Sequence, residues 1–304
     1  MKTILLTGAT GFIGSNLLET ILSENYNVVG LKRSTSDIWR IKEFLSDSRL
    51  KLIDIDKVPL DNIFTKEHID ILIHSAWSGV KAEDRNSLIL QLDNFDFAVR
   101  LYHLAINAGV NKIISLGSRA EYGDYEGRVD ENYPCNPTDA YGIAKMFTSR
   151  LLQTLAEQSN TKWFWIRLFS LFGPKEDGKW LLPFAINKML DNEAINLTGC
   201  EQRYDYLFVK DFCKGIILLM NSEISGIYNL SSNNSMQLKE ILFLIKDILK
   251  SKSKLNFGAL EYRKNQVIHM EGDSAKFYNE TNFSISPLIN SLTETINYYR
   301  NIKV

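Results

Sequence analysis

The first half of the chain alternates short apolar runs with longer amphipathic segments. The runs have the length of buried strands, and the longer segments repeat apolar residues at helical spacing. The pattern predicts strands at Thr3–Thr7, Asn27–Leu31, Leu50–Asp54, Ile69–His74, Lys112–Leu116 and Lys162–Leu168, and helices at Gly14–Glu24, Ser87–Ala108 and Ala140–Gln158. Strands that alternate with helices form right-handed βαβ units. We therefore expect an α/β fold with a doubly wound, mostly parallel sheet.

The rhythm changes after Gly173-Pro174. Predicted helices at Leu182–Asp191 and Met236–Lys250 now mix with isolated strands such as Ile227–Leu230. Gly, Pro and Asp cluster in 173–178, which is typical of a seam between two lobes. We expect residues 1–172 to form the first lobe and residues 173–304 a smaller, mixed α/β lobe, with some segments returning to the first. The second lobe then closes over the carboxyl ends of the strands, where open sheets bind ligands.

Composition and charge exclude several classes of protein. The formal net charge is −1 without a Lys/Arg cluster, so we expect no nucleic-acid partner. The three cysteines are widely spaced and the four histidines form no metal-binding pair, which disfavours disulfides and a metal site. No apolar run reaches about 18 residues, so no segment is expected to span a membrane. These features indicate a soluble protein of the cytoplasm.

A glycine-rich turn follows the first strand at once, in the sequence Gly8-Ala9-Thr10-Gly11-Phe12-Ile13-Gly14. Glycines allow a tight turn, a close approach of a pyrophosphate and close helix–strand packing, and the helix that follows supplies amide donors and a positive dipole. The turn predicts a Rossmann-type, NAD(P)-binding first lobe. Its expected cofactor-binding residues are Gly8, Thr10, Gly11, Phe12, Ile13 and Gly14.

The end of the second predicted strand bears on the choice of cofactor. An acid there binds the ribose hydroxyls of NAD, but this chain has Lys32 and Arg33 instead. A guanidinium can bind a 2′-phosphate through two hydrogen bonds, so we favour NADP(H), with NAD(H) left open. At the end of the third strand, Asp54 is placed to meet the adenine amino group and Ile55 to pack on the ring.

A Tyr-x-x-x-Lys pair begins a predicted helix. Tyr141 and Lys145 lie four residues apart, on one helix face. A cation about 4 Å from the phenol contributes on the order of 4 kcal/mol, which predicts a fall in the tyrosine pKa of roughly three units. Such a tyrosine exchanges protons at a carbonyl or carbinol oxygen. Ser118, just beyond the strand Lys112–Leu116, is expected to orient the substrate oxygen.

Together these motifs resemble the extended short-chain dehydrogenases/reductases, specifically the nucleotide-sugar epimerase, dehydratase and reductase family. The segment 74–77 is similar to the family's HxAA segment, with Trp77 in place of the last alanine. Asn94 falls at the asparagine of the NVxGT segment, although Gly and Thr are missing. Ser118 precedes a Tyr-Gly pair, as in the family. The resemblance implies that Ala76, Asn94, Tyr141 and Lys145 also contact the cofactor.

The residues after Ser118 bear on the reaction. In the family, 4,6-dehydratases carry an Asp-Glu pair there, whereas this chain reads Arg119-Ala120-Glu121. That disfavours dehydration and leaves a 4-ketoreductase or a 4-epimerase, which need only Ser, Tyr, Lys and the nicotinamide. The missing ribose-binding acid favours an NADPH-dependent reductase of a nucleotide-linked 4-keto-6-deoxy sugar. An NAD-dependent epimerase stays open, as does a non-enzymatic NADP sensor or scaffold.

The second lobe carries the residues that the resemblance assigns to the nucleotide-sugar substrate. Arg203, in a segment similar to the family's RDFxxVxD, and Arg263, ten residues before a DxSK-like segment, are expected to bind the diphosphate. Ser170 stands where epimerases often have Asn. Neither the nucleotide nor the sugar is specified.

Two long helices predict the assembly. The segments Ser87–Ala108 and Ala140–Gln158 carry more apolar residues than one buried face needs, among them Leu88, Leu92, Leu151 and Leu155. In the resembling family these helices pair with their copies in a four-helix bundle. We therefore expect a two-fold symmetric homodimer.

Overall fold

The computed structural model describes residues 1–263 and 266–303. Its strands are β1 Thr3–Thr7, β2 Asn27–Lys32, β3 Leu50–Asp54, β4 Ile71–His74, β5 Lys112–Ser118, β6 Gly127–Val129, β7 Lys162–Leu168, β8 Ser170–Phe172, β9 Ile195–Asn196, β10 Arg203–Tyr204, β11 Tyr206–Phe208, β12 Gly226–Leu230, β13 Met236–Gln237, β14 Leu255–Asn256 and β15 His269–Gly272. Its α-helices are α1 Phe12–Ser23, α2 Leu60–Lys66, α3 Leu88–Asn107, α4 Ala140–Ser159, α5 Leu181–Leu190, α6 Val209–Asn221, α7 Leu238–Leu249, α8 Ala275–Thr281 and α9 Leu288–Ile302, and Trp39–Phe44 and Arg119–Tyr122 are 3₁₀ helices.

The main sheet confirms the predicted architecture. In the described chain it has seven strands in the order β12-β7-β5-β4-β1-β2-β3, and all neighbours are parallel. After β3 the chain returns to the other side of β1, so the strand order reverses between β1 and β4. In open α/β sheets the ligand crevice lies at this reversal, outside the carboxyl ends of the strands.

Alternate residues of each strand supply two apolar layers. Ile4 and Leu6 of β1 pack with Leu17 of α1 and Phe212 of α6 on one face. Leu5 packs in the layer formed on the other face, which includes Leu101 of α3 and Leu152 of α4. Each such fully buried side chain contributes about 1.5–3 kcal/mol relative to exposure. The layers fix the helices that carry the site against the sheet.

Several observed element bounds differ from the predicted ones by one or two residues, among them the following three. Met236 and Gln237, expected to be helical, form β13 against β10, because the Gln237 and Glu240 side chains cap the helix that begins at Leu238. Strand β5 runs on to Ser118, since its last two residues pair with the end of β7. The first turn of α1 begins two residues earlier than predicted, at Phe12.

The rest of the second half forms small sheets and a separate apolar cluster. Beyond residue 172, β12 rejoins the main sheet beside β7. The other strands make a four-stranded sheet, in the order β13-β10-β15-β6, and two pairs, β11-β8 and β14-β9. Residues of α5, α7 and α9 pack around one cluster, with Ile186, Ile241 and Leu292 at its centre. Among the described helices, none is long and apolar enough to cross a membrane.

Candidate active site

The glycine-rich turn is built so that only glycine fits at two of its positions. Gly8 has φ +69°, and a Cβ there would lie 2.9 Å from the backbone of Ala76. A Cβ on Gly14 would lie 2.0 Å from the Gly8 carbonyl oxygen. Gly11 donates to that same oxygen at 2.9 Å and precedes α1, whose first turn has no side-chain cap and no acidic residue. The turn thus offers the open amides and close backbone approach that a dinucleotide pyrophosphate needs.

The other predicted residues of the turn flank this cradle. Thr10 is half-buried, and Phe12 and Ile13 pack partly buried against the apolar layer of α1. These positions fit a turn whose side chains hold α1 against the sheet and whose backbone amides are left for a ligand.

One hydroxyl joins the two strands at the reversal of the sheet. Thr7 Oγ1 accepts from the amides of Ser75 and Ala76 at 3.1 and 3.0 Å. Its remaining hydrogen is therefore assigned to His74 Nδ1, 2.9 Å away. Burial lowers the pKa of His74 to about 3, and the charge of Lys145 lowers it further. His74 is thus a neutral, structural residue.

At the predicted adenosine end, the Asp54 carboxylate is engaged by protein donors. Ser34 Oγ donates to it at 2.7 Å and Lys32 Nζ lies 3.5 Å away, and the hydrogen bond from Ser34 lowers the pKa of Asp54. Ile55 is half-buried beside it. Arg33 is exposed, and its guanidinium makes no ion pair within the described residues. Lys32 is therefore partly neutralised, and Arg33 is the cation available to a phosphate.

Ser118 ends β5 and caps the 3₁₀ helix that follows. Its Oγ accepts from the Ala120 amide at 3.2 Å, and its own amide donates to Glu121 Oε1 at 2.8 Å. Glu121 is fully buried, and its carboxylate also accepts from Trp165 Nε1 at 2.8 Å and Arg167 Nε at 2.9 Å. The backbone of Ser118 is therefore anchored by a buried ion pair.

The start of α4 carries the Tyr-x-x-x-Lys pair. Asp139 caps this helix by accepting from the Gly142 amide at 2.7 Å. The Tyr141 amide donates to the Arg85 carbonyl at 3.0 Å, and the Arg85 guanidinium carbon lies 5.1 Å from the centre of the Tyr141 ring. Lys145 Nζ lies 5.9 Å from the centre of the same ring and is buried.

The expected fall in the tyrosine pKa is wrong for this structure. Burial raises the pKa of Tyr141, and the hydrogen bond with the Ser118 hydroxyl and the charge of Arg85 oppose that rise only in part. The Lys145 ammonium donates to the Leu116 carbonyl at 2.6 Å, and burial lowers its own pKa to about 7. The expectation counted the attraction of a nearby cation and omitted the cost of a buried phenolate. Tyr141 is therefore held protonated.

Two other predicted cofactor residues line the loop after β4. Ala76 approaches Gly8 closely, as described above. Asn94 of α3 accepts from the Ser78 amide at 2.9 Å and donates to the Ser78 carbonyl at 2.8 Å. Asn94 therefore holds the loop that follows β4.

Sequence reasoning missed several residues of the site. Trp77 lies with its ring centre 3.6 Å from Lys145 Nζ. Glu121 and Arg167 form the buried pair that anchors Ser118. Of these residues, only Trp77 could have been noticed from the sequence, because it departs from the HxAA segment. The pair is invisible there because its members lie on different strands and turns.

The proposed diphosphate arginines lie in the second half of the chain. Arg203 is in β10, and its guanidinium donates to the Ser235 carbonyl at 2.7 Å. Counted back from Val209 and Asp211, the arginine of the RDFxxVxD segment falls on Tyr204, so Arg203 is one residue early. Arg263 is exposed. Ser170 is half-buried in β8, opposite Tyr206 of β11.

The fold and the site define an enzyme of the oxidoreductase class. The chain belongs to the NAD dependent epimerase/dehydratase family, whose model matches residues 4–231. This confirms the resemblance drawn from the motifs, and with it the Rossmann-type fold.

Known proteins similar to the chain include enzymes of deoxysugar metabolism. It is 24% identical over 280 residues to a CDP-abequose synthase of Salmonella muenchen, covering 90% of each chain. It is 28% identical to the dTDP-6-deoxy-L-talose 4-dehydrogenase (NAD(+)) of Aggregatibacter actinomycetemcomitans, covering 85% of this chain and 96% of that one. A UDP-N-acetylglucosamine 4-epimerase from Methanobrevibacter ruminantium M1, solved with UDP-N-acetylmuramic acid, superposes with a TM-score of 0.89 at 22% identity over 99% of both chains.

Proposed function

We propose that this enzyme is an NADPH-dependent reductase of a nucleotide-activated 4-keto-6-deoxy sugar. One observation carries the proposal. Tyr141 is buried and protonated beside Ser118, while Arg119 and Ala120 occupy the places of the dehydratases' acid and base. Glu121, the remaining acid of that segment, is bound to Trp165 and Arg167. Among the described residues of the site, Tyr141 is thus the proposed proton donor, and Glu121 is held by its partners rather than free to act in an elimination.

The chain's own side chains account for the proton transfer in a ketone reduction. When bound, the reduced nicotinamide supplies a hydride for the carbonyl carbon. The Ser118 hydroxyl orients the carbonyl oxygen, and the Tyr141 hydroxyl gives that oxygen its proton. The Lys145 ammonium favours the phenolate that Tyr141 then becomes, until solvent returns the proton. Tyr141 carries its proton at neutral pH, so it can begin each turnover as an acid.

The substrate class comes from the relatives, two of which are named for nucleotide-linked sugars, CDP-abequose and dTDP-6-deoxy-L-talose. In this proposal residues 173–304 form the substrate lobe that closes on residues 1–172. Arg203 and Arg263 are the proposed partners of the diphosphate, because guanidinium binds phosphate through paired hydrogen bonds. Ser170 is proposed to line the sugar end.

The preference for NADPH rests on Arg33. It stands after β2 where NAD-binding chains carry an acid, and it is exposed. One relative is named as NAD(+)-dependent, and that favours NAD as the alternative cofactor.

A 4-epimerase is the second candidate, since a structural neighbour at TM-score 0.89 is one. Epimerisation would use the same Ser118, Tyr141 and Lys145, with Tyr141 first as base and then as acid.

The deciding experiment follows nicotinamide absorbance with NADPH or NADH and a panel of UDP-, dTDP-, GDP- and CDP-linked 4-keto-6-deoxy sugars. Stoichiometric oxidation of NADPH with one of them supports the reductase. Interconversion of two nucleotide hexoses without added cofactor, together with NAD retained through purification, establishes the epimerase instead. Inactivity in both assays with NADPH still bound counts against both candidates for this substrate class.

We also propose a homodimer in the cytoplasm. Leu88, Ile89 and Leu92 of α3 and Phe147 of α4 are each more than half exposed, an unusual apolar surface on two adjacent helices. The sequence also predicted Leu155 on that surface. In the structure Leu155 is partly buried against the chain's own apolar layer.

A further inference from the structure

Trp77 is held in place from two sides. Its indole Nε1 donates to Gln91 Oε1 at 2.9 Å, and Gln91 is buried in α3. The next residue, Ser78, exchanges two hydrogen bonds with Asn94. The indole ring is therefore fixed directly after β4, at the reversal of the sheet.

The face of this ring lies against the Lys145 ammonium. Lys145 Nζ is 3.6 Å from the centre of the Trp77 ring, whereas the rings of Tyr141 and Trp165 are 5.9 and 5.8 Å away. The ammonium donates one hydrogen bond, to the Leu116 carbonyl. Lys145 is 4% exposed, and among the described residues no ion pair holds it.

A buried ammonium with a single oxygen partner is costly unless something else stabilises its charge. The negative face of an indole is the strongest such partner among the aromatic rings, more so when water is excluded. We propose that Trp77 is a positioning residue of this site, whose ring keeps Lys145 charged and fixed beside Tyr141.

The groups around Lys145 place its pKa near neutral pH. Burial lowers its pKa to about 7, and the charge of Glu121 acts in the opposite direction. His74, on β4, is neutral because burial lowers its pKa to about 3. Tyr141, on the same helix, is also neutral, since burial raises its pKa. Because the pKa of Lys145 lies near neutral pH, even a modest interaction with the Trp77 ring changes the fraction of Lys145 that is charged.

This inference rests on the proposed proton relay of Tyr141 and Lys145, but its test needs no substrate. The probe is the ¹³Cε resonance of Lys145 in the full chain labelled with [ε-¹³C]lysine, titrated from pH 5.5 to 10. The resonance is assigned by its absence in Lys145→Arg. A missing reductase activity would leave this titration, and hence the inference, unaffected.

Two substitutions of Trp77 weaken its contact with Lys145 to different degrees. Trp77→Leu keeps apolar volume and removes the ring, so the pKa of Lys145 should fall by about one unit or more. Trp77→Phe keeps a weaker ring and should give a smaller fall. The control is Trp39→Leu, which removes the ring 4.4 Å from the Arg40 guanidinium and should leave the Lys145 titration unchanged.

A wild-type pKa of Lys145 in folded Trp77→Leu overturns the proposal. If the leucine variant does not fold, the phenylalanine variant decides: a lowered pKa supports the role of Trp77, and an unchanged one overturns it. A fall of equal size in Trp39→Leu also overturns it, because the shift would then not come from contact with Lys145.

Discussion

Glu121 Oε2 accepts a hydrogen bond from Arg167 Nε at 2.9 Å, and neither side chain is more than 3% exposed. The other oxygen of the same carboxylate holds the Ser118 amide. A buried ion pair of this kind adds little stability over an apolar substitute, but breaking it on one side leaves a buried charge without its partner. Here the pair fixes the backbone from which the candidate catalytic serine projects.

Glu121→Gln should destabilise the fold strongly. The amide oxygen can still accept a hydrogen bond, but the Arg167 charge is left unpaired, at a cost of about 3 kcal/mol in the free energy of unfolding. Urea unfolding measures it. The matched control is Glu67→Gln, whose partner Lys51 is 60% exposed, so its cost should stay below about 1 kcal/mol. Equal losses in the two variants would contradict the proposed anchor.

Tyr141→Phe should remove turnover and keep cofactor binding. Loss of the proposed proton donor should lower kcat by about 100-fold or more, since general acids contribute that much. The dissociation constant of NADPH, followed by fluorescence, should change by less than about threefold. Tyr26→Phe, whose hydroxyl meets Asn221 at the surface, is the control and should match the wild type. Full activity in Tyr141→Phe would refute the mechanism.

Lys145 predicts a pH dependence of stability. Its pKa is about 7 in the folded protein, below the ordinary value of 10.5 that applies when unfolded. Between these values the unfolded chain binds a proton that the folded protein lacks, so the free energy of unfolding rises with pH there. The contribution is complete above about pH 10.5 and is lost as the pH falls to 7. From pH 7 to 9 the wild type should gain about 2 kcal/mol relative to Lys145→Met.

Chemical unfolding of both proteins at several pH values checks this gain. The substitution of an exposed lysine of α2, Lys66→Met, should show no such trend. A constant difference between wild type and Lys145→Met would mean that Lys145 is not buried as described.

Arg33→Ala tests the choice of cofactor. A charge-assisted pair with the 2′-phosphate is worth about 1.5–3 kcal/mol, so NADPH should bind roughly ten- to hundred-fold more weakly while NADH is unaffected. Titration of both cofactors against both proteins measures the ratio, with Arg300→Ala as the control for loss of a surface charge. Equal weakening of NADPH and NADH would show that Arg33 does not read the phosphate.

Ile89→Glu tests the dimer. Ile89 is 76% exposed on α3, and a carboxylate there should be too costly to bury between two copies. Light scattering at micromolar concentration should report a dimer for the wild type and a monomer for the variant. Phe243→Glu, at an exposed apolar residue of α7, should remain dimeric. A wild-type monomer would refute the assembly.

The features of this structure that depend on neighbouring residues could be predicted from the sequence. The strands of the main sheet and the turn from Gly8 to Gly14 follow from apolar periodicity and glycine spacing, which are properties of neighbouring residues. The pKa of Tyr141 was not readable, because it depends on burial by residues far away in the chain. The same holds for Glu121, whose partners Trp165 and Arg167 lie more than 40 residues further along. Met236 and Gln237 looked helical because pairing with β10 leaves no local mark.

The Thr7 hydroxyl couples position 7 physically to positions 74–76. Its single oxygen serves two amides and one imidazole, so a valine at position 7, although of similar shape, would leave the buried His74 nitrogen and two partly buried amides without this partner at once. We therefore expect a change at position 7 to require a change of His74 or a new path for the loop behind it. A redesign of this end of the sheet therefore has to treat two segments 67 residues apart together.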